Sequence, residues 1–440
     1  MMQGGRFILL LALLLVGALL FASVPALAGE NSGRGKSLSE ARKALEQQLI
    51  TAPGFVGIAH SEARGEITVF VANEQARATV PQSFEGHPVR VEVTGKFQAL
   101  ATQLAEPTIV SEERQGEVRP LVGGISLSAY AENQKWAGTL GTVTYDGKIL
   151  SNAHVIAMDL AADFLPVGTP VIQPASHPDD GGTLDNQVGT LQDYIPIRFG
   201  EPMGRSPNIR YRSNYADAAI AILQVEGISG EQFAEGGNYA VSSTATVTPG
   251  DSVQKSGRTT GVTEGEVYLT NASALVEYAP DKVAYFVDQI MVYQPFSQPG
   301  DSGSLVADAQ LRFVGLLFAA SADYTIVCKA EYVIAGLGIA VEPAEPPPPP
   351  GDAPSVDSVE PTSASPRDRL TVAILGANFQ NGATADFGER ITVQGVTFVS
   401  NSQLEVHIRV HNLAAPGPRD VTITNPDGQS DTLADGFTVL

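Results

Sequence analysis

Between residues 115 and 342 the apolar residues fall in short runs, each broken within a few positions by Gly, Asn, Asp or Pro. Helical spacing is scarce there, and that constrains the fold more than any other feature of the chain. Runs of this length with turn residues between them predict strands of an all-β barrel or sandwich. About 228 residues suit two small barrels. The whole chain has 440 residues, more than one hydrophobic core usually holds.

The flanking segments have other textures. Arg6 precedes an apolar stretch from Phe7 to Phe21, and Ala26-Leu27-Ala28 then supplies a small-x-small site. Residues 1–28 therefore predict a cleaved export signal, with secretion as the outcome. An uncleaved N-terminal membrane anchor is the alternative, since the stretch approaches the ~20 residues that span a bilayer. Residues 29–114 predict a small α+β unit and a candidate propeptide. Ser37 and Glu40 have capping-box spacing, with Leu38, Ala41, Leu45 and Leu49 following at helical intervals. Alternating runs come after Pro53-Gly54, and Ile67, Val69 and Val71 are expected to share one face. Residues 343–353, with five consecutive prolines, predict a stiff linker. Residues 354–440 predict a further β-rich domain.

Composition narrows the partners. A formal net charge of -21 disfavours nucleic acid and anionic membrane. With Cys328 alone, no disulfide forms within the chain, and its apolar setting predicts a buried small side chain. Asp179, Asp180 and Asp185 are irregularly spaced for Ca²⁺, and neither a metal nor a cofactor is expected.

Three local patterns carry chemistry. Gln298-Pro-Gly-Asp-Ser302-Gly-Ser304 sets a serine in a turn flanked by Gly300 and Gly303. Such a turn lets backbone N–H groups converge near Ser302 Oγ as an oxyanion hole. A serine needs a base. Of the six histidines, His154 follows a strand-turn-strand and has small neighbours, Ser151 and Ala153, that leave room for a substrate. Asp217 heads the apolar run Ala218-Ala-Ile-Ala-Ile-Leu223, where a charge is unfavourable unless paired. It is the candidate carboxylate for orienting the imidazole.

In the order His, Asp, Ser, with these contexts, residues 115–342 resemble the trypsin-like (chymotrypsin-fold) serine peptidases. The resemblance implies two six-stranded barrels, His154, Asp217 and Ser302 as a catalytic triad, and Gly300 and Ser302 N–H groups as the oxyanion hole. Gln173-Pro174, Asp180-Gly-Gly182, Lys255 to Gly261 and Gly265 are similar to a bacterial branch of these peptidases, without implying a role for those segments. Candidate S1 pocket residues by resemblance are Phe296, Phe318, Ala319 and Ala320. With Phe296 where a trypsin-like enzyme has an acid, a small or apolar P1 residue is expected and Lys/Arg specificity is not. Arg119-Pro-Leu-Val-Gly-Gly124 resembles a zymogen activation site, after which Asp301 would pair with the new N-terminus. Proline after arginine resists such cleavage, so a chain active without that step is expected.

Residues 354–440 resemble the IPT/TIG family, an immunoglobulin-like sandwich. The resemblance rests on Pro354 to Ser363, Gly376-Ala-Asn-Phe379, Phe387-Gly388 and the closing Gly436-Phe437. It implies a binding or spacing module rather than a catalytic one, which would position the chain on a surface, a polymer or a protein partner. Taken together, the chain is expected to be mainly β and to be an exported serine endopeptidase that cleaves protein or peptide substrates without a cofactor. A silent binding protein on the same fold, or an esterase with the same triad, are the other readings.

Overall fold

Ser37 starts the N-terminal unit with a closed capping box. Its Oγ accepts from the Glu40 N–H at 3.4 Å, and the Glu40 carboxylate accepts from the Ser37 N–H at 2.9 Å. The helix Leu38–Leu49 follows and buries Leu38, Ala41 and Leu45. The computed structural model describes residues 35–99, 112–202, 209–343 and 352–440. The expected export signal (1–28) and most of the expected linker (343–353) lie outside them. No helix among the described residues is long and apolar enough to cross a membrane. Two compact units divide between Ile339 and Ala340.

In the first unit, Leu38–Leu49 packs beside strands Phe55–Ser61, Glu66–Val71 and His87–Val93. The first two pair antiparallel and the last two parallel. Ile67, Val69 and Val71, expected to share one face, are buried, yet Thr68 and Phe70 between them are buried as well. The second face is covered because the sheet does not end here. Gly57 and Ile58 pair with Ala274 and Ser273 of a long hairpin, and Phe70 meets Phe97 and Tyr324 edge-on. The N-terminal strands and the hairpin thus form one continuous sheet.

Two barrels follow. In the first, Lys148–Ser151 pairs with Thr142–Val143 on one side and Ala219–Leu223 on the other. Ala219–Leu223 pairs with Gln187–Tyr194, that strand with Pro170–Ile172, and that one with Ser126–Ala129. Ser126–Ala129 pairs with Gly138–Thr139, which runs on through Leu140 and Gly141 into Thr142–Val143; counted as one interrupted strand, 138–143 closes a ring of six. The second ring runs through Ser252–Gly257, Gly261–Ala279, Lys282–Tyr293, Tyr324–Lys329, Phe313–Ala320 and Leu305–Asp308 before returning to the first of these. Closure pairs each ring strand on both sides over part of its length, but Phe313–Ala320 runs past Leu305–Asp308, so Ala319-Ala320 has no ring partner on that side.

Two of the segments for which the sequence suggested no role, Asp180-Gly-Gly182 and Lys255 to Gly261, tie the barrels together. Arg258 donates through Nε to Asp180 Oδ2 at 3.0 Å and through Nη2 to Asp180 Oδ1, and both side chains are fully buried. Ser126 Oγ also donates to Asp180, at 2.5 Å. A Cβ at Gly182 would lie 2.1 Å from the Pro174 carbonyl oxygen, so that turn admits only glycine. Asp180 is thereby committed to a cation of the chain. Removing one member of a buried pair leaves the other charge uncompensated. Arg258→Met is expected to cost about 3–5 kcal/mol, read as a lower urea midpoint at unchanged slope.

In the second unit, two four-stranded sheets enclose one core that includes Val372, Ile374, Phe387, Leu404, Val406 and Phe437. Strand Gln403–Val410 alternates strictly, with Leu404, Val406, Ile408 and Val410 inward and Glu405, His407 and Arg409 exposed. At Gly376 a Cβ would sit 1.8 Å from the Ser355 carbonyl oxygen, which explains the glycine of the Gly-Ala-Asn-Phe turn. The protein is mainly β: two barrels, a small α+β unit before them, and an immunoglobulin-like sandwich at the end.

Candidate active site

Asp217 is fully buried, and its carboxylate is surrounded by donors. Oδ1 accepts from the His154 backbone N–H at 3.2 Å. Oδ2 lies 2.6 Å from His154 Nδ1 and accepts from the Tyr278 hydroxyl at 2.8 Å. The unfavourable charge foreseen at the head of an apolar run is thus paired. Asn152 reinforces the contact, donating from Nδ2 to the Asp217 carbonyl at 2.6 Å. His154 itself sits in the short helix Ala153–Ile156, whose carbonyl at Val155 accepts from Trp136 Nε1 at 2.9 Å. Of the six histidines, only His154 bonds Asp217. Its Nε2 is buried and has no hydrogen-bond partner among the described residues. With Nδ1–H donated to Asp217, that nitrogen carries a free lone pair.

Ser302 is fixed by backbone contacts to both barrels. Its carbonyl accepts from the Thr139 N–H at 2.7 Å, and the Gly303 N–H donates to Leu317 at 2.9 Å. Gly300 and Gly303 have φ of 97° and 96°, a region that other residues enter at a cost. A Cβ at Gly303 would also lie 2.2 Å from the Thr139 oxygen. Gly138 packs against both sides of the site: a Cβ there would lie 2.5 Å from the side chain of Val155, next to His154, and 3.0 Å from the Ser302 oxygen. Ser302 Oγ donates to the Phe318 carbonyl at 3.2 Å. The N–H groups of Gly300 and Ser302 donate to no group among the described residues.

Asp301 needs no new chain terminus. Its carboxylate accepts from the N–H groups of Thr259, Thr260 and Gln298 at 2.9, 3.1 and 3.0 Å, and from Thr260 Oγ1 at 2.6 Å. Lys255 Nζ lies 3.5 Å away, and both side chains are fully buried. Burial pushes the Lys255 ammonium below the usual lysine range, and the Asp301 charge opposes that push. Lys255 was legible only as part of a glycine-rich segment. Its role as the cation behind the serine turn was not.

The candidate S1 residues are all buried. Phe296 lies in the apolar core of the second barrel, with Val267, Ile290, Val292 and Ala320. Phe318 packs against Phe286 at 4.6 Å between ring centroids. Ala319 and Ala320 are covered by the N-terminal unit: strand Phe97–Ala99 pairs antiparallel with them, Ala99 opposite Ala319 and Gln98 opposite Ala320. Along its start the same short strand pairs in parallel with Val276 and Glu277. A cavity of about 340 Å³ remains beside His154, lined in part by Trp136, Met158, Leu160, Tyr278 and Ala99.

The C-terminal unit has a named counterpart. Residues 354–439 match the family model described as IPT/TIG domain. No curated protein matches the chain. Among solved structures, the chain is similar to Cellulomonas bogoriensis chymotrypsin at 16% identity and a TM-score of 0.34, over 51% of this chain and 98% of that one. Thermobifida fusca protease A matches at 17% identity and 0.34, over 51% and 98%. A Nocardiopsis protease matches at 16% and 0.34, over 50% and 98%. The chemistry available to the site follows from its own distances.

Proposed function

We propose that this chain is an exported serine endopeptidase made in a latent form. The observation that carries the reading is the buried His154–Asp217 pair, with Nε2 of the imidazole unpartnered, beside a serine turn whose two amides are free. In the proposed mechanism, the Ser302 hydroxyl swings from the Phe318 carbonyl to His154 Nε2, which takes its proton as Oγ attacks the substrate carbonyl carbon. Asp217 holds the tautomer and stabilises the imidazolium. The Gly300 and Ser302 amides receive the oxyanion. His154 then protonates the leaving amine, and water cleaves the acyl-enzyme by the same steps in reverse roles.

Latency follows from strand Phe97–Ala99. An extended substrate would add to the edge at Ala319-Ala320, next to the carbonyl that holds Ser302 Oγ. Residues of the chain itself occupy that edge. The N-terminal unit is bound further by Glu92, which accepts from Tyr268 at 2.7 Å and Tyr324 at 2.5 Å, and by Arg42, which donates to Ser273 at 3.0 Å. Export by residues 1–28 fits this reading, as does a binding role for the IPT/TIG domain towards a surface, a polymer or a protein. The buried, apolar setting of Phe296 favours a small or apolar P1 side chain.

The test is labelling of the purified secreted chain with a fluorophosphonate, beside Ser302→Ala and His154→Ala. Covalent label at Ser302, absent from both variants, is the expected result. No label, either in the full chain or in Gln98→Pro with its blocking strand weakened, would sink the reading.

A further inference from the structure

One donor to Asp217 comes from a part of the chain where no motif announces it. Tyr278 lies near the end of the strand Gly261–Ala279, 61 residues beyond Asp217. Its ring is held edge-on by His154 at 5.7 Å and Phe199 at 5.6 Å, and it stacks over Phe286 at 6.3 Å. One side of the ring rims the cavity beside His154, while the hydroxyl turns inward to Asp217 Oδ2. Oδ2 therefore has two donors, the Tyr278 hydroxyl and His154 Nδ1, and their directions set how the carboxylate sits against the imidazole.

We propose that Tyr278 is a positioning residue for the triad, orienting the Asp217 carboxylate and moderating its hold on the His154 proton. The proposal rests on the reading of His154, Asp217 and Ser302 given above. A hydrogen bond donated to a carboxylate stabilises its charge and draws electron density from the oxygen. An Asp217 without that bond is the stronger base and holds an imidazolium more tightly. His154 would then lose its proton at higher pH, and less of it would be free to act as a base near neutrality.

The other groups facing the pair leave this direction unchanged. Cys328 Sγ approaches the Asp217 carbonyl at 3.9 Å, and burial pushes its thiol up to about 12, so it stays neutral. Burial and the nearby Asp217 charge keep the Tyr278 phenol well above its ordinary range, so its hydroxyl stays protonated and donating. Asp159 and Glu277 line the cavity rim, and Lys282 sits over Phe199 at 5.2 Å. All three are retained in the variants below, so their influence cancels in the comparison.

The measurement is the low-field proton signal of His154 Nδ1–H in the full chain, followed against pH. Wild type is compared with Tyr278→Phe and with Tyr278 replaced by 3,5-difluorotyrosine, a stronger donor. In Tyr278→Phe the midpoint is expected to rise by about one unit, and fluorophosphonate labelling at neutral pH to slow about tenfold. The difluorotyrosine variant is expected to shift the midpoint the other way, which decides the matter should Tyr278→Phe not fold. Unchanged midpoints in the folded variants would overturn the role of Tyr278. A wild-type signal that survives Asp217→Asn would instead overturn the triad reading beneath it.

Discussion

Asp217→Asn is expected to leave the fold intact and to cut both labelling and peptide hydrolysis by about 10⁴-fold, the scale seen when such a carboxylate becomes an amide. The neighbours of Asp217 dictate why. Oδ1 faces the His154 backbone N–H, which only donates, so the amide oxygen must stay on that side. The asparagine NH₂ then takes the place of Oδ2, against Tyr278 and His154 Nδ1. A phenol rotates to accept. The imidazole can accept at Nδ1 only by moving its proton to Nε2, the nitrogen that must be free to receive the proton of Ser302. The variant therefore folds and holds the wrong tautomer. Comparison with Ser302→Ala, expected to lose at least as much, separates a misplaced proton from a missing nucleophile. Residual activity within tenfold of wild type in Asp217→Asn would show that Asp217 does not orient the base.

What the sequence made legible was local. The helix Leu38–Leu49 could be read because its start signal, Ser37 with Glu40, is four residues long. The strands of both barrels could be read because turn residues punctuate them. His154, Asp217 and Ser302 stood out through small neighbours, an apolar run and a glycine turn, each visible within a dozen residues. Long-range partners were not legible. Arg258 and Asp180 lie 78 residues apart, and neither charge carries a mark that it will be buried against the other. Nothing near Tyr278 in sequence points to a carboxylate. Glu66–Val71 read as a strand whose alternate residues share one face because alternation reports one neighbour, and Phe97 and Tyr324, which pack on Phe70 from the other face, lie outside that run. Phe97–Ala99 is too short for any periodicity to reveal.

That short strand carries the other large effect. Gln98→Pro is expected to raise labelling and peptide hydrolysis by the full chain on the order of 100-fold. Gln98 is the only residue of the strand paired on both sides, to Glu277 in parallel and to Ala320 antiparallel. Proline there removes the N–H and clashes within a strand flanked on both edges, a cost of about 3 kcal/mol, which equals roughly that factor in the population of the open edge. The rest of the N-terminal unit should remain docked. Glu92 keeps its two tyrosine donors, and Gly57-Ile58 keeps its place beside Ser273-Ala274. The variant thus separates blockage of the cleft from loss of the unit, which deleting residues 35–99 would confound. Gln98→Thr keeps the backbone pairing and serves as the control, with activity close to wild type. Equal labelling rates for wild type and Gln98→Pro would mean that the strand does not bar substrate. The Ala319-Ala320 edge would then not be where an extended substrate binds, because one edge cannot pair with two strands at once.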